Sequence, residues 1–193
     1  MNRLSSAWEE LCNLIIRPQR CRYDESFLGP KLFRIGEKVY ERKDIEVMNP
    51  RGLTLKCSHF QPIEAHRPSV KLPVVIYLHG NCGSRLDALE CVTALLPTNI
   101  TVFAFDFSGS GLSEGDFVTL GYYECQDLAA VVDYLLLSKT VSRIGCWGRS
   151  MGAVTAIMYG SRDPSIGAIV ADSPFASLHQ VMMELVQGYR SWI

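Results

Sequence analysis

The chain has 193 residues, 48% hydrophobic and 20% charged, enough for one domain with a real core and too few for two ordinary ones. That composition excludes the disordered and fibrous classes, and a net charge of -1 supplies no electrostatic footprint for nucleic acid. No run approaches the about 18 uninterrupted apolar residues of a membrane-spanning helix, and Glu9 and Glu10 stand where a signal peptide needs its apolar centre.

The N-terminal residues 1–43 read as a helix and a linker, mildly basic, ahead of a mildly acidic body. Leu4, Trp8, Leu11 and Ile15 fall on one helical stripe over 4–16. Two readings of that stripe stay open. It is a helix docked on the domain, or a peripheral membrane contact with Cys12 or Cys21 lipidated beside Arg17, Arg20 and Arg22. Seven cysteines are scattered without any C-x-x-C spacing, and an odd number argues against a closed disulfide framework. The expected setting is cytoplasmic, with membrane association as the alternative.

Beyond Pro18, Gly29 and Pro30, residues 44–48 and 53–60 flank Asn49-Pro50-Arg51-Gly52, a turn signal, and predict a hairpin. After a polar, Pro-containing loop over 61–73, Val74-Val75-Ile76-Tyr77-Leu78 is apolar without alternation, as a strand buried on both faces requires. Helical stretches follow at 84–96, 119–137, 150–161 and from Ala176 to Ile193, separated by strands at 100–105, 143–147 and 167–171. A hairpin followed by alternating strands and helices predicts an α/β sandwich, its sheet mostly parallel with antiparallel first strands. The domain over 44–193 ends after about the sixth strand.

The strongest chemical signal is Gly148-Arg149-Ser150-Met151-Gly152. Its context matters more than its pattern: Ile144-Gly145-Cys146-Trp147 reads as a strand, and Met151 onward suits a helix. This is the setting of a nucleophile elbow, in which a very tight turn lifts a serine oxygen above the sheet edge. Ser150 is the candidate nucleophile. An acyl-transfer enzyme also needs two donors aimed at the developing oxyanion. Met151 N–H, just past the nucleophile, is one. The other is expected from His79-Gly80-Asn81-Cys82-Gly83, the loop after the strand 74–78, with Asn81 N–H as the candidate. His79 opens that loop and reads as structural rather than as a general base.

A third segment, Asp106 to Gly115, places glycines at 109, 111 and 115, one residue out of step with the dinucleotide fingerprint G-x-G-x-x-G. No Gly-Lys-Ser/Thr makes it a Walker loop, so it reads as a tight loop with Asp106 structural. No cluster of His, Cys or carboxylates shows metal-ligand spacing. Neither cofactor nor metal is expected.

H-G-N, then D-F-S-G-S-G-x-S-E-G, then G-R-S-M-G and Ala171-Asp172-Ser173-Pro174-Phe175 occur in this order. Together they resemble the α/β-hydrolase superfamily, specifically the serine aminopeptidase (S33)-like branch that also includes depalmitoylating thioesterases. The resemblance covers about 44–185. It implies the α/β-hydrolase fold and hydrolysis of an ester, thioester or amide of a small-molecule or acyl substrate.

A serine hydroxyl attacks only when a base takes its proton and an acid orients that base. In this superfamily the chain order is Ser, then Asp or Glu, then His, and the resemblance places the His after the last strand. His179 is the single histidine after Ser150, and it stands where relatives carry cap structure. Asp172 is a weak candidate acid and His179 a weaker base; His59 and His66 precede the core. Two functional expectations follow. The chain is the front part of a serine hydrolase and nearly inactive as given, or it is a non-catalytic interaction protein built on a truncated hydrolase fold.

Overall fold

The computed structural model describes residues 19–181 together with Asn13, Ile16, Arg17 and Met183. The stripe Leu4, Trp8, Leu11, Ile15 and the thiol of Cys12 lie outside the described residues, as does most of the helix expected from Ala176. Its described residues are helical from Leu178.

Seven strands form one sheet: β1 (Leu32–Ile35), β2 (Lys38–Met48), β3 (Thr54–Pro62), β4 (Leu72–Leu78), β5 (Thr101–Phe105), β6 (Val141–Arg149) and β7 (Ile166–Asp172). Their spatial order is β1-β2-β3-β5-β4-β6-β7. The first three strands pair antiparallel, and β3 also meets β5 antiparallel. The strands β5, β4, β6 and β7 are mutually parallel. Helix α1 (Leu89–Leu95) and helices α2 (Glu124–Leu137) and α3 (Met151–Gly160) complete the described elements.

One strand goes beyond the expectation. β1 and the first half of β2 lie where the sequence reads as linker, so position 43 falls inside a strand rather than at a boundary. The missed signal is local: Ile35 pairs with Lys38 across Gly36-Glu37, and Gly36 takes φ +58, the positive φ that two-residue hairpin turns demand. The helices are shorter than their periodicity suggests. Ser84 caps a 3₁₀ turn over Arg85–Ala88 before α1 begins. The stretch 119–123 is held as a turn by Leu120 and Gly121, both at positive φ, with the buried Glu124 carboxylate accepting the N–H groups of Thr119 and Gly121.

The central parallel strands β4 and β5 are almost wholly apolar because helices cover both faces. On one face Ile76, Leu78, Phe103 and Phe105 pack with Leu128, Val131 and Leu135 of α2 and Ala156 of α3. On the other, Tyr77, Val102 and Ala104 pack with Cys91 and Val92 of α1. Each fully buried Phe or Leu contributes roughly 1.5–3 kcal/mol of transfer free energy. β7 is different: six of its seven residues are exposed, including Ile169 and Val170. Among the described residues no helix is long and apolar enough to cross a membrane.

Candidate active site

β6 delivers its last residue, Arg149, directly into Ser150, and α3 begins one residue later. Ser150 has φ +51 and ψ -112, a conformation that costs a non-glycine residue of order 1–3 kcal/mol. The neighbours show what holds it. A Cβ on Gly148 would lie 2.2 Å from the Gly152 carbonyl oxygen, and one on Gly152 only 2.0 Å from the Leu78 carbonyl oxygen. Both positions therefore admit glycine alone. The Ser150 N–H donates to the Asp172 carbonyl at 2.8 Å, tying the elbow to the end of β7. The strand–turn–helix context expected around Ser150 is present, with the serine half-buried at the C-terminal edge of the parallel strands.

Val154 N–H makes the first helical bond of α3, to Ser150 O at 3.1 Å, so Met151 N–H lies outside the helical ladder at the positive end of the helix dipole. The loop after β4 approaches from the side. A Cβ on Gly80 would stand 3.7 Å from Ser150 Cβ and 3.5 Å from the Arg149 carbonyl oxygen, which places His79-Gly80-Asn81 against the elbow. Gly83 N–H closes this loop onto Gly80 O at 3.0 Å. The Asn81 side-chain oxygen is buried without a hydrogen-bond partner among the described residues. Cys82 takes φ +65 at the exposed tip, and partial burial holds its thiol above the ordinary range.

His79 is fully buried, and both ring nitrogens are engaged. Phe107 N–H donates to Nε2 at 3.0 Å, which leaves the proton on Nδ1 to donate to Gly80 O at 2.7 Å. Its ring packs edge-on against Phe107 at 4.9 Å. His79 thus holds the loop and has no free nitrogen for a substrate proton. The other histidines have different partners or stand exposed. His59 is buried beside Thr101 at 3.1 Å, His66 accepts the Val39 N–H, and His179 is exposed; none of the four hydrogen-bonds Ser150. The Asp172 carboxylate accepts from its neighbour Ser173 and lies 3.9 Å from Arg149 Nε.

Asp106 is structural. Its carboxylate accepts Tyr23 OH at 2.7 Å, Arg85 N–H at 2.7 Å and Leu112 N–H at 2.8 Å. Burial and the Asp106 charge keep the Tyr23 phenol neutral, well above its ordinary titration range. Arg85, buried immediately after the H-G-N-C-G-S loop, donates through Nε to Tyr23 OH, through Nη1 to Cys57 O and through Nη2 to Glu25. Sequence reasoning misses this cluster, since Tyr23 and Asp106 stand 83 positions apart and carry no shared motif. Among the described residues no group of three or more His, Cys, Asp or Glu is disposed to hold a metal. A cavity of about 630 Å³ lies on β2 and β3 around His59, Lys43 and Arg67, on the antiparallel side of the sheet, away from the end of β6 that leads into Ser150.

This arrangement agrees with that of known proteins. Residues 71–193 match the family model "Serine aminopeptidase, S33". Protein YqkD of Bacillus subtilis is 38% identical over 171 residues, 85% of this chain and 53% of YqkD. Lysophosphatidylserine lipase ABHD12 of Bos taurus is 27% identical over 114 residues, 56% of this chain and 28% of the lipase. The Pyrococcus furiosus esterase Pf2001 superposes with a TM-score of 0.72 at 30% identity, covering 90% of this chain and 65% of the esterase. The chain thus spans about half of YqkD and less than two thirds of the esterase. The matched residues contain the H-G-N loop, the elbow and all four parallel strands, and the chain belongs to the serine aminopeptidase S33 family of α/β-hydrolases.

Proposed function

We propose that this chain carries the nucleophile half of a serine hydrolase acting on an ester, thioester or amide. Ser150 Oγ gives its proton to a base and attacks the carbonyl carbon, while the N–H groups of Met151 and Asn81 stabilise the oxyanion. The alcohol, thiol or amine leaves with that proton, and water then hydrolyses the acyl-enzyme to the free acid and Ser150. The observation that carries this reading is the conformation of Ser150 between two glycines that admit no side chain. A turn under this strain persists when the surrounding packing over-determines it, and such turns cluster at reactive residues.

Among the described residues no histidine hydrogen-bonds Ser150. On this reading the base and its orienting Asp or Glu are not yet assembled at the serine, and the chain by itself attacks slowly or not at all. The test is labelling of the folded chain with a fluorophosphonate probe beside a Ser150→Ala control. Labelling at Ser150 alone means that a working base lies within these residues and returns His179 and Asp172 to consideration. No labelling here, with labelling restored in a longer chain that supplies a late histidine, is the outcome the proposal expects. No labelling in either form overturns it.

One observation favours a second reading. β7 leaves Ile169 and Val170 exposed on a strand that, among the described residues, pairs on one side only, the kind of edge a binding partner covers. Under that reading the chain is a non-catalytic interaction protein, and Ser150→Ala binds its partner unchanged. A small acyl substrate is the partner of the first reading; a protein strand is the partner of the second.

A further inference from the structure

Residues 19–28 run beside the loop that follows β5, and one side chain fastens them there. Arg20 Nε donates to the carbonyl of Gly111 at 2.8 Å and Nη1 to that of Gly115 at 3.1 Å. Nη2 donates to the carbonyls of Ser110, at 3.2 Å, and Ser113. Four carbonyls of one short loop therefore meet all three nitrogens of the guanidinium, four of its five N–H donors. No ion pair of the described residues includes Arg20. Carbonyl dipoles alone match its charge.

The loop owes its shape to contacts that do not involve Arg20. Ser113 Oγ donates to Asp106 O at 2.6 Å, Leu112 N–H to the Asp106 carboxylate, and Gly109 N–H to Glu114 O at 2.9 Å. Ser110 and Ser113 are buried. Gly109, Gly111 and Gly115 take φ +81, +49 and +106. A Cβ on Gly111 would strike Asp106 Cγ at 2.2 Å. The amides of Gly109, Ser110, Leu112 and Ser113 are bonded within the 106–114 segment and that of Glu114 to Thr54 O. The carbonyls of Ser110, Gly111, Ser113 and Gly115 converge on the Arg20 guanidinium. An acceptor-only cradle of this kind suits a cation with several donors. Acceptors addressed by three separate nitrogens suit a planar fork better than a point charge.

We propose that the loop Ser110–Gly115 is a preformed receptor for a guanidinium group, with Arg20 as its resident ligand. The docked segment brings more than its own charge. Tyr23 and Glu25 follow Arg20 and reach Arg85, the residue that begins the turn after the H-G-N loop. Seating one arginine therefore sets the support beneath the candidate oxyanion loop.

The experiment is a thermal titration of the full chain bearing Arg20→Ala with methylguanidinium chloride, beside the wild type and an equal concentration of KCl. Arg20→Ala is expected to melt about 3–6 °C below the wild type. Methylguanidinium up to about 10 mM, the range of a weak small-ligand site, then recovers at least half of that loss along a saturable curve. KCl recovers none, and the wild type moves by less than about 1 °C. Equal shifts in variant and wild type, equal effects of the two salts, or no shift at all would overturn the proposal. If Arg20→Ala does not fold, Arg20→Gln, which keeps the stem and a hydrogen-bonding end, is judged by the same criteria. The readout involves no chemistry at Ser150, so it stands whether or not the hydrolase reading does.

Discussion

The N–H of Ser150 donates to the carbonyl of Asp172 across 2.8 Å, so the last residue of one parallel strand holds the turn that ends its neighbour. That bond assigns Asp172 a role through its backbone. The position of Ser150 above the sheet depends on β7 being in register with β6, which pairs Arg149 with Asp172.

Strain at Ser150 predicts an unusual stability series. Ser150→Gly relieves the positive φ and is expected to gain about 1 kcal/mol, or roughly 2–4 °C in Tm, after the entropy cost of glycine. Ser150→Ala keeps the strained backbone and stays within about 0.5 kcal/mol of the wild type. Urea unfolding of the three proteins decides it. A glycine variant no more stable than the alanine variant would show that the turn stores no strain.

The glycines of the elbow separate contact from conformation. Gly152→Ala drives a methyl group to 2.0 Å from the Leu78 carbonyl oxygen and is expected to cost at least about 3 kcal/mol. Gly145→Ala, in the same strand as the elbow but with its nearest neighbour at 3.5 Å, is expected to change stability by less than about 1 kcal/mol. Circular dichroism melts of both variants measure the contrast, and equal costs would contradict the packing described.

His79 holds the loop after β4 through both nitrogens, so His79→Ala is expected to destabilise the chain by about 2–4 kcal/mol. A general base would behave otherwise, with stability kept and only the reaction lost. Chemical denaturation of the variant distinguishes the two, and an unchanged midpoint would return His79 to the catalytic candidates.

His59 sets a pH dependence remote from the elbow. Burial, reinforced by the charges of Arg67 and Lys43, lowers its titration to about 3 from the ordinary 6.5. Between these values the unfolded chain binds a proton that the folded chain refuses. Stability is therefore full above pH 6.5 and falls as the pH drops towards 3, by up to about 1.4 kcal/mol per unit. His59→Asn is expected to flatten that part of the profile. Unfolding midpoints at pH 7.5, 6 and 5 for both proteins supply the measurement, and parallel profiles would exclude His59 as the cause.

The parallel half of the fold was legible in the sequence because its signals are short-range. The run over 74–78 announces burial on both faces, and Gly148 and Gly152 announce the turn by the side chains they lack. β1 was not legible: Leu32-Phe33-Arg34-Ile35 is four residues long, and its pairing rests on the conformation of Gly36. The fold also starts the helix expected over 119–137 later than periodicity suggests, because Leu120 and Gly121 turn the backbone ahead of Glu124. At the candidate site, Ser150, Asn81 and Met151 could be nominated as candidates from spacing, because each lies just past the end of a strand. Tyr23, Arg85 and Asp106 could not, since their contact exists only after the sheet has brought distant segments together.

That last cluster bears on where the protein may be cut. The family match begins at residue 71, yet β1, β2 and β3, with Arg20, Tyr23 and Glu25, all precede it. A chain shortened to the matched region would expose the free edge of β5, leave the carbonyls of 110–115 facing water, and strand the Arg85 guanidinium without its phenol and carboxylate partners. The portion matched by the family model is thus smaller than the sheet that folds. Expression boundaries for this protein belong upstream of Arg20, in a stretch that carries no motif.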